Sequence, residues 1–261
     1  MSARQLVYYG KESRSKHEKM FKRLESGLSV HGVELRWAAN PNRMELTEGV
    51  FYGMSEENIQ SLRSYQGSDY SYYYVDNAYF GRRNFYRITR QRLQHDGMGS
   101  SDGKRFRKFE IEIKPWRSTG EVILLALQSE LWFQLHDFPI HDFVGHVTST
   151  LGRFTDKEVV VRFKPPPNKI DPVSFLDVLR NVYAVVTWSS NAAVQGVLEG
   201  VPAFTWVDCA ASTMGTRDLS RINEPPMPDG RLEWASVLAD NQWSSSEISR
   251  GVWWEKLSGE S

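Results

Sequence analysis

The chain has 261 residues, 40% of them hydrophobic and 13% aromatic, and its 32 Lys and Arg balance 32 Asp and Glu. That length supports one large or two small α/β domains, each with its own core. No apolar run reaches the roughly 18 residues of a membrane span. The N-terminus carries no basic-then-apolar leader, so the expected setting is the cytoplasm, with no membrane partner. The single Cys209 excludes an internal disulfide and suits a reducing compartment. Beside an apolar run it reads as a small buried hydrophobe.

The neutral total conceals an asymmetry. Residues 1–120 hold 21 Lys and Arg against 14 Asp and Glu, whereas residues 121–261 hold 11 against 18. Two halves of opposite sign suggest two surfaces with different partners, and the basic half suits a polyanion. The alternative is that these cations only solvate an edge-rich domain.

In chain order, Leu6–Tyr9 reads as a strand stopped by Gly10. Met20, Phe21, Leu24 and Leu28 then mark one face of a helix. Residues 33–37 and 49–53 read as short strands. A helix capped by Ser55, with Ile59 and Leu62 inward, leads to a strand over Tyr72–Val75 that ends at Asp76. Alternating strands and helices of this kind predict a Rossmann-like unit. Residues 94–104 are a Gly-, Ser- and Asp-rich loop. Lys104–Lys114 alternates like a strand, and Pro115–Gly120 reads as a linker, which sets the expected domains at 1–117 and 118–261.

The second half restarts the rhythm with strands over Val122–Leu127 and Val159–Phe163 and a helix over Asp171–Arg180. Val182–Phe204 is the most informative stretch: an apolar strand, a small polar turn at Ser189-Ser190-Asn191, a helix, a stop at Gly200 and Pro202, and a second apolar run. Helices are expected over Asp229–Leu238 and at the tail, where Ser244 and Glu247 have capping-box spacing and Ile248, Val252 and Leu257 share a face.

In open α/β sheets, ligands sit outside the carboxyl ends of the strands. Those ends carry Gln128 and Ser129, Arg162 and Lys164, and Ser189, Ser190 and Asn191. Helix N-terminal N–H groups with neighbouring cations suit a diphosphate. The alternative is that the Ser-Ser-Asn turn only caps its helix.

Gln128-Ser129, VVVRFKP and VVTWSSNAAVQGVLEGVPAF resemble the nucleotide-sugar domain of GT-B glycosyltransferases. YYYVDNAYFGRRNFYRIT and the tail DLSRINEPPMPDGRLEWASVLADNQWSSSEISRGVWWEKL are similar to phage-type glycosyltransferases implicated in DNA hypermodification. Together these segments span half to two-thirds of the chain. The resemblance implies two Rossmann-like domains facing across a cleft (the GT-B fold), and a UDP-sugar donor such as UDP-glucose on the second domain. It implies no required metal, and an acceptor on the first domain, namely double-stranded DNA carrying 5-hydroxymethylpyrimidines. If phage-encoded, the protein would work in the host cytoplasm. Gln128, Ser129, Arg162, Lys164, Ser189, Ser190, Asn191 and Glu199 would hold the donor. The chain departs from relatives at Gln195, where many carry Glu, with Glu199 one turn later. It departs again at Pro165-Pro166-Pro167, which lacks the His-Pro pair of some relatives.

Inverting transfer needs a base for the acceptor hydroxyl. Asp76, at a strand end, is the first candidate and His95, in the glycine-rich loop, the second; a retaining enzyme needs none, and Asp76 would then only orient the acceptor. The alternative for Asp76 is a turn residue. Arg82, Arg83, Arg87 and Arg90, with Lys104 and Arg105, are interleaved with aromatics and are the candidate DNA contacts. The alternative is a solvated strand face. His136, Asp137, His141, Asp142 and His146 form a dense cluster in which Asp137/His141 and Asp142/His146 have the i,i+4 spacing of two ligands on one helix face, but Pro139 interrupts the first half of such a helix. Two other functions stay open: transfer to a polysaccharide or protein, and a non-catalytic DNA-binding module on a transferase fold.

Overall fold

The computed structural model describes residues 4–82, 84–164 and 173–259. The chain begins with β1 (Gln5–Tyr9), α1 (Ser15–Ser29), β2 (Glu34–Trp37), β3 (Glu48–Tyr52), α2 (Ile59–Gln66), β4 (Tyr72–Asn77) and β5 (Phe85–Arg90). It continues through α3 (Lys104–Arg107), β6 (Val122–Ala126), α4 (Glu130–Leu135), α5 (Ile140–Leu151), β7 (Glu158–Arg162), α6 (Phe175–Leu179), β8 (Val182–Thr187) and α7 (Asn191–Leu198). It closes with β9 (Ala203–Thr205), β10 (Gly215–Thr216), α8 (Arg231–Asp240), β11 (Gln242–Ser244), α9 (Ser245–Ser249) and α10 (Val252–Leu257).

These elements form two compact units. One holds residues 1–94 and 240–261, the other residues 95–239. The first has a six-stranded sheet in the order β11-β5-β4-β3-β1-β2. Its strands β2, β1, β3 and β4 run parallel, and β5 and β11 are added antiparallel. The second has a five-stranded, all-parallel sheet in the order β10-β9-β8-β6-β7. Both are Rossmann-like α/β units. The all-parallel sheet explains why β8, buried along its whole length, is a continuous apolar run rather than an alternating one.

Long-range bonds return the tail to the first unit. Gln242, fully buried, accepts from the Tyr79 and Phe80 N–H groups, both at 3.0 Å, and donates to the Phe80 carbonyl at 3.0 Å. Ser244 and Glu247 complete the expected capping box on α9. The expected tail helix is broken into α9 and α10 at Gly251, whose φ of 76° lies in the left-handed region. Helix α1 buries Met20, Phe21, Leu24 and Leu28, the stripe its spacing predicts, in a core shared with Ile248, Trp253 and Trp254.

Three local expectations are corrected. Residues 104–107 form a helical turn, not a strand: Gly103 adopts φ 70° and its carbonyl accepts the Arg107 N–H, so the apparent alternation reflects one buried Phe106. Residues 115–120 are no free linker. The Lys114 and Arg117 N–H groups bond the carbonyls of Leu198 and Gly200, which ties this segment into the second unit and places the first crossing between residues 94 and 95. The expected cap by Ser55 does not form: the second helix starts after Asn58 with no side-chain cap, and the Asn58 Oδ1 accepts the Ser55 N–H instead. Part of the expected Asp171–Arg180 helix, and Pro165–Pro167, lie outside the described residues.

Two predictions follow from this packing. A Cβ on Gly27 would run into the Ile248 carbonyl and the Gly251 backbone. Gly27→Ala is expected to lower stability by about 1–3 kcal/mol by denaturant unfolding, through overpacking of the α1–α9 contact. His17 is 2% exposed, with Nδ1 3.2 Å from the Tyr8 hydroxyl; burial, helped by Lys16 and Arg14, lowers its pKa from 6.5 to about 4. The unfolded chain therefore binds the proton first as pH falls. Stability should decline between pH 6.5 and about 4, by at most about 3 kcal/mol from this residue. His17→Gln should flatten that part of the stability–pH curve.

Candidate active site

The sheet of the second unit reverses its winding between β6 and β8. From β6 the chain moves to β7 on one side, then returns to β8 on the other. At such a reversal the flanking connections leave in opposite directions and open a crevice at the carboxyl ends. Gln128 and Ser189 face each other there. The Gln128 Nε2 donates to Ser189 Oγ at 2.8 Å, and the Ser189 N–H donates to Gln128 Oε1 at 3.1 Å. Trp132 Nε1 donates to the same Ser189 Oγ at 2.9 Å. Two residues earlier, Thr187 Oγ1 donates to the Ala126 carbonyl at 2.6 Å and accepts the Ser190 N–H at 3.2 Å.

The expected donor residues therefore divide by role. Gln128 and the buried Ser189 clamp the two strand ends together. Ser190 caps α7, with its Oγ accepting the Ala192 N–H at 3.2 Å, and Ser190 and Asn191 are half-buried at the mouth of the crevice. Capping and anion binding are compatible here, because a cap occupies only one of the first N–H groups of a helix. Ser129 is exposed at the start of α4. Arg162 ends β7 in register with Ala126, its guanidinium 4.9 Å from the centre of the Phe175 ring, and Lys164 is exposed just beyond.

Glu199 does not join this group. It follows the last turn of α7, a helix length of about 12 Å from the N-terminus, and forms an ion pair with Lys114. A negative charge is disfavoured at a helix C-terminus, and the Lys114 ammonium offsets it here.

Periodicity missed an aromatic shelf beside the clamp. Trp188 at the end of β8 packs with Phe138 at 5.2 Å, His136 at 5.4 Å and Trp206 at 6.1 Å between ring centres. His146 stands over Trp206 at 5.1 Å. Trp188 Nε1 is buried and has no hydrogen-bond partner among the described residues. The signal was present: one Trp sits just past each of two strands. It also gives the histidines of the His/Asp cluster a role, since His136 and His146 lie on these rings. Pro139 starts α5, separating Asp137 from His141. Among the described residues no three His, Cys, Asp or Glu side chains are placed to hold a metal ion. Cys209 is buried, which raises its thiol pKa.

The first unit has its own reversal, between β1 and β3. Tyr52, at the end of β3, lies 5.5 Å from the His17 ring and 5.9 Å from Tyr86 between ring centres. Burial, then Tyr86, then Asp76 push the Tyr52 phenol upward. Asp76 sits one residue before the end of β4, directly across from Arg87 on β5. Its Oδ2 accepts from Arg87 Nη2 at 2.8 Å and its Oδ1 accepts the Asn77 N–H at 2.7 Å.

Two of the expected DNA contacts are corrected by this geometry. Arg87 is 3% exposed and bound to Asp76 and the Asn77 carbonyl, so its charge is spent inside the unit. Arg90 donates to the Leu257 and Ser258 carbonyls and to Ser71 Oγ, holding the tail. Arg82 is exposed, and Arg83 lies outside the described residues. In the second unit Lys104 is exposed and paired with Asp102 at 2.7 Å, and Arg105 is half-buried. His95 also belongs to the second unit. Its Nδ1 accepts the Gly97 N–H at 3.0 Å, in a loop where Gly97 packs on Trp234, so this loop is anchored by contacts. No helix among the described residues is long and apolar enough to cross a membrane.

No protein-family model and no curated protein sequence matches the chain. Solved structures do. Thermosulfurimonas dismutans KpsC, a beta Kdo 2,4 transferase, aligns with a TM-score of 0.53 at 11% identity over 91% of each chain. The beta Kdo 2,7 transferase of the same organism's KpsC aligns with a TM-score of 0.53 at 11% identity, over 97% of this chain and 99% of that one. The Methanocaldococcus jannaschii UDP-GlcNAc 2-epimerase, solved with UDP-GlcNAc and UDP, reaches only 0.33 at 9% identity over 91% and 98%, and bears no weight. At these identities the likeness is one of fold: two Rossmann-like α/β units in one chain, the GT-B fold of glycosyltransferases.

Proposed function

We propose that this protein is a glycosyltransferase that moves a hexose from a UDP-sugar, such as UDP-glucose, to the hydroxymethyl group of a pyrimidine in double-stranded DNA. The observation that carries the donor half is the clamp at the β6–β8 reversal, which aims the N-terminus of α7 into a crevice bordered by Arg162. The donor diphosphate would accept from the first N–H groups of α7, and Arg162 and Lys164 would supply positive charge. Exposed His136 and half-buried Trp206, both packed on the buried Trp188, offer ring faces to the nucleobase.

In the reaction the acceptor oxygen attacks the sugar C1, the C1–oxygen bond to the diphosphate breaks, and the hydroxyl proton goes to a base. Asp76 is assigned that role, with Arg87 as the group that fixes its orientation. The DNA acceptor is supported by the basic surplus of residues 1–120, by exposed Arg82 and Lys104, and by the sequence resemblance. A polysaccharide acceptor is the second reading. It is favoured by the fold shared with two Kdo transferases and by the internal use of Arg87 and Arg90.

Incubation with duplexes containing hydroxymethylcytosine or hydroxymethyluracil and a panel of sugar nucleotides, followed by nucleoside mass spectrometry, is expected to show one hexose added. Transfer to glycan acceptors with none to DNA would select the second reading. Ser190→Ala and Arg162→Ala should each weaken donor affinity by about tenfold in calorimetry, the loss of one charge-assisted hydrogen bond. Asp76→Asn should leave donor affinity unchanged and lower turnover by about 100-fold or more; unchanged turnover would remove it as the base.

A further inference from the structure

We propose that β7 is a self-pairing edge, through which two copies of this chain join their second-unit sheets into one continuous sheet. The strand lies at the end of its sheet, paired with β6 alone among the described strands, in unbroken parallel register. The Leu127 N–H bonds the Arg162 carbonyl, so the backbone groups of Arg162 point toward β6. By the alternation of a strand, those of Val160 and Glu158 do too, and those of Val159 and Val161 point outward.

This outward row fits a second copy of itself. The strand reads Glu158-Val159-Val160-Val161-Arg162. Run antiparallel about Val160, Val159 meets Val161 of the other copy as a hydrogen-bonded pair, twice over by symmetry. Val160 meets Val160 as a non-hydrogen-bonded pair, and so does Glu158 with Arg162. Side chains come closest in non-hydrogen-bonded pairs, and opposite charges across them attract. The charge pattern is therefore complementary to its own reverse, which an isologous two-fold contact requires. Arg162 carries five N–H donors, more than one ion pair uses.

The surroundings favour the same occupant. Val160 is 37% exposed, Phe163 just beyond it 63%, and Leu176 on neighbouring α6 52%. Of the ten exposed large hydrophobic residues described, five fall between Phe154 and Leu176. Other sheet edges carry the usual protections. Strands β10 and β11 are two and three residues long, and β2 is broken in character by Glu34 and by Arg36, the latter paired with Glu45. Strand β7 is five residues with no Pro, no Gly and three consecutive valines.

Light scattering after size exclusion tests the register. The wild type should elute at twice the 30.1 kDa chain mass. Glu158→Arg and Arg162→Glu, each placing like charges opposite one another, should give monomers, and the double variant E158R/R162E should restore the dimer. Circular dichroism melting of each variant checks the fold. Val160→Cys supplies an independent measurement: non-hydrogen-bonded antiparallel neighbours have the Cα separation a disulfide accepts, and native Cys209 is buried. Mild oxidation of the native variant should give a covalent dimer. A wild type that stays monomeric up to millimolar concentration, a dimer indifferent to the single charge reversals, or a Val160→Cys variant that fails to cross-link would each overturn the proposal.

Discussion

Ser189 is the point on which the second unit's site depends. Two parallel strands that feed connections in opposite directions leave a gap at their carboxyl ends, and polar backbone there needs partners. Gln128 supplies both halves of its amide to Ser189, one to the hydroxyl and one to the N–H, and Trp132 adds a second donor to the same hydroxyl. Thr187 repeats the bridge two residues earlier. With the strand ends locked, the turn that follows has one path, and α7 starts where its N-terminal N–H groups face the crevice. Ser189, whatever else it touches, is the bolt that positions the turn leading into α7.

The first unit follows a different economy. Its sheet is finished by two antiparallel strands, one of which arrives from the far end of the chain. Adding β5 and β11 beside β4 converts what would be an exposed edge into interior and buries the middle of β5. Arginine on such a strand must find partners, because an unpaired buried charge costs several kcal/mol. Arg87 finds Asp76 and Arg90 finds the carbonyls of the closing segment. The cations that make this stretch look like a polyanion surface are therefore also what holds the tail and sets the orientation of Asp76.

Much of this was legible in the residues. The helical stripe of Met20, Phe21, Leu24 and Leu28, the strand at Val182–Thr187, the stop at Gly200 and the capping box at Ser244 and Glu247 all stand where spacing placed them. Lys104–Lys114 misled because four residues of helix and four of alternating strand present the same apolar positions when only Phe106 is buried. The partner of Glu199 was not legible, because a helix-terminal carboxylate shows its charge in the sequence but not Lys114, 85 positions away.

Local chemistry, then, was decided by the sequence: which segments bury a face, where helices start and stop, and which strand ends carry small polar turns. Those properties depend on neighbours within a few residues. The tertiary structure alone decided strand order, the return of residues 240–261 to the first unit, and the division of cations between interior bonds and solvent. The physical reason is distance along the chain. Whether Arg87 meets a carboxylate or water, and whether Ser189 faces a ligand or Gln128, is settled by partners that only sheet pairing brings within hydrogen-bond reach.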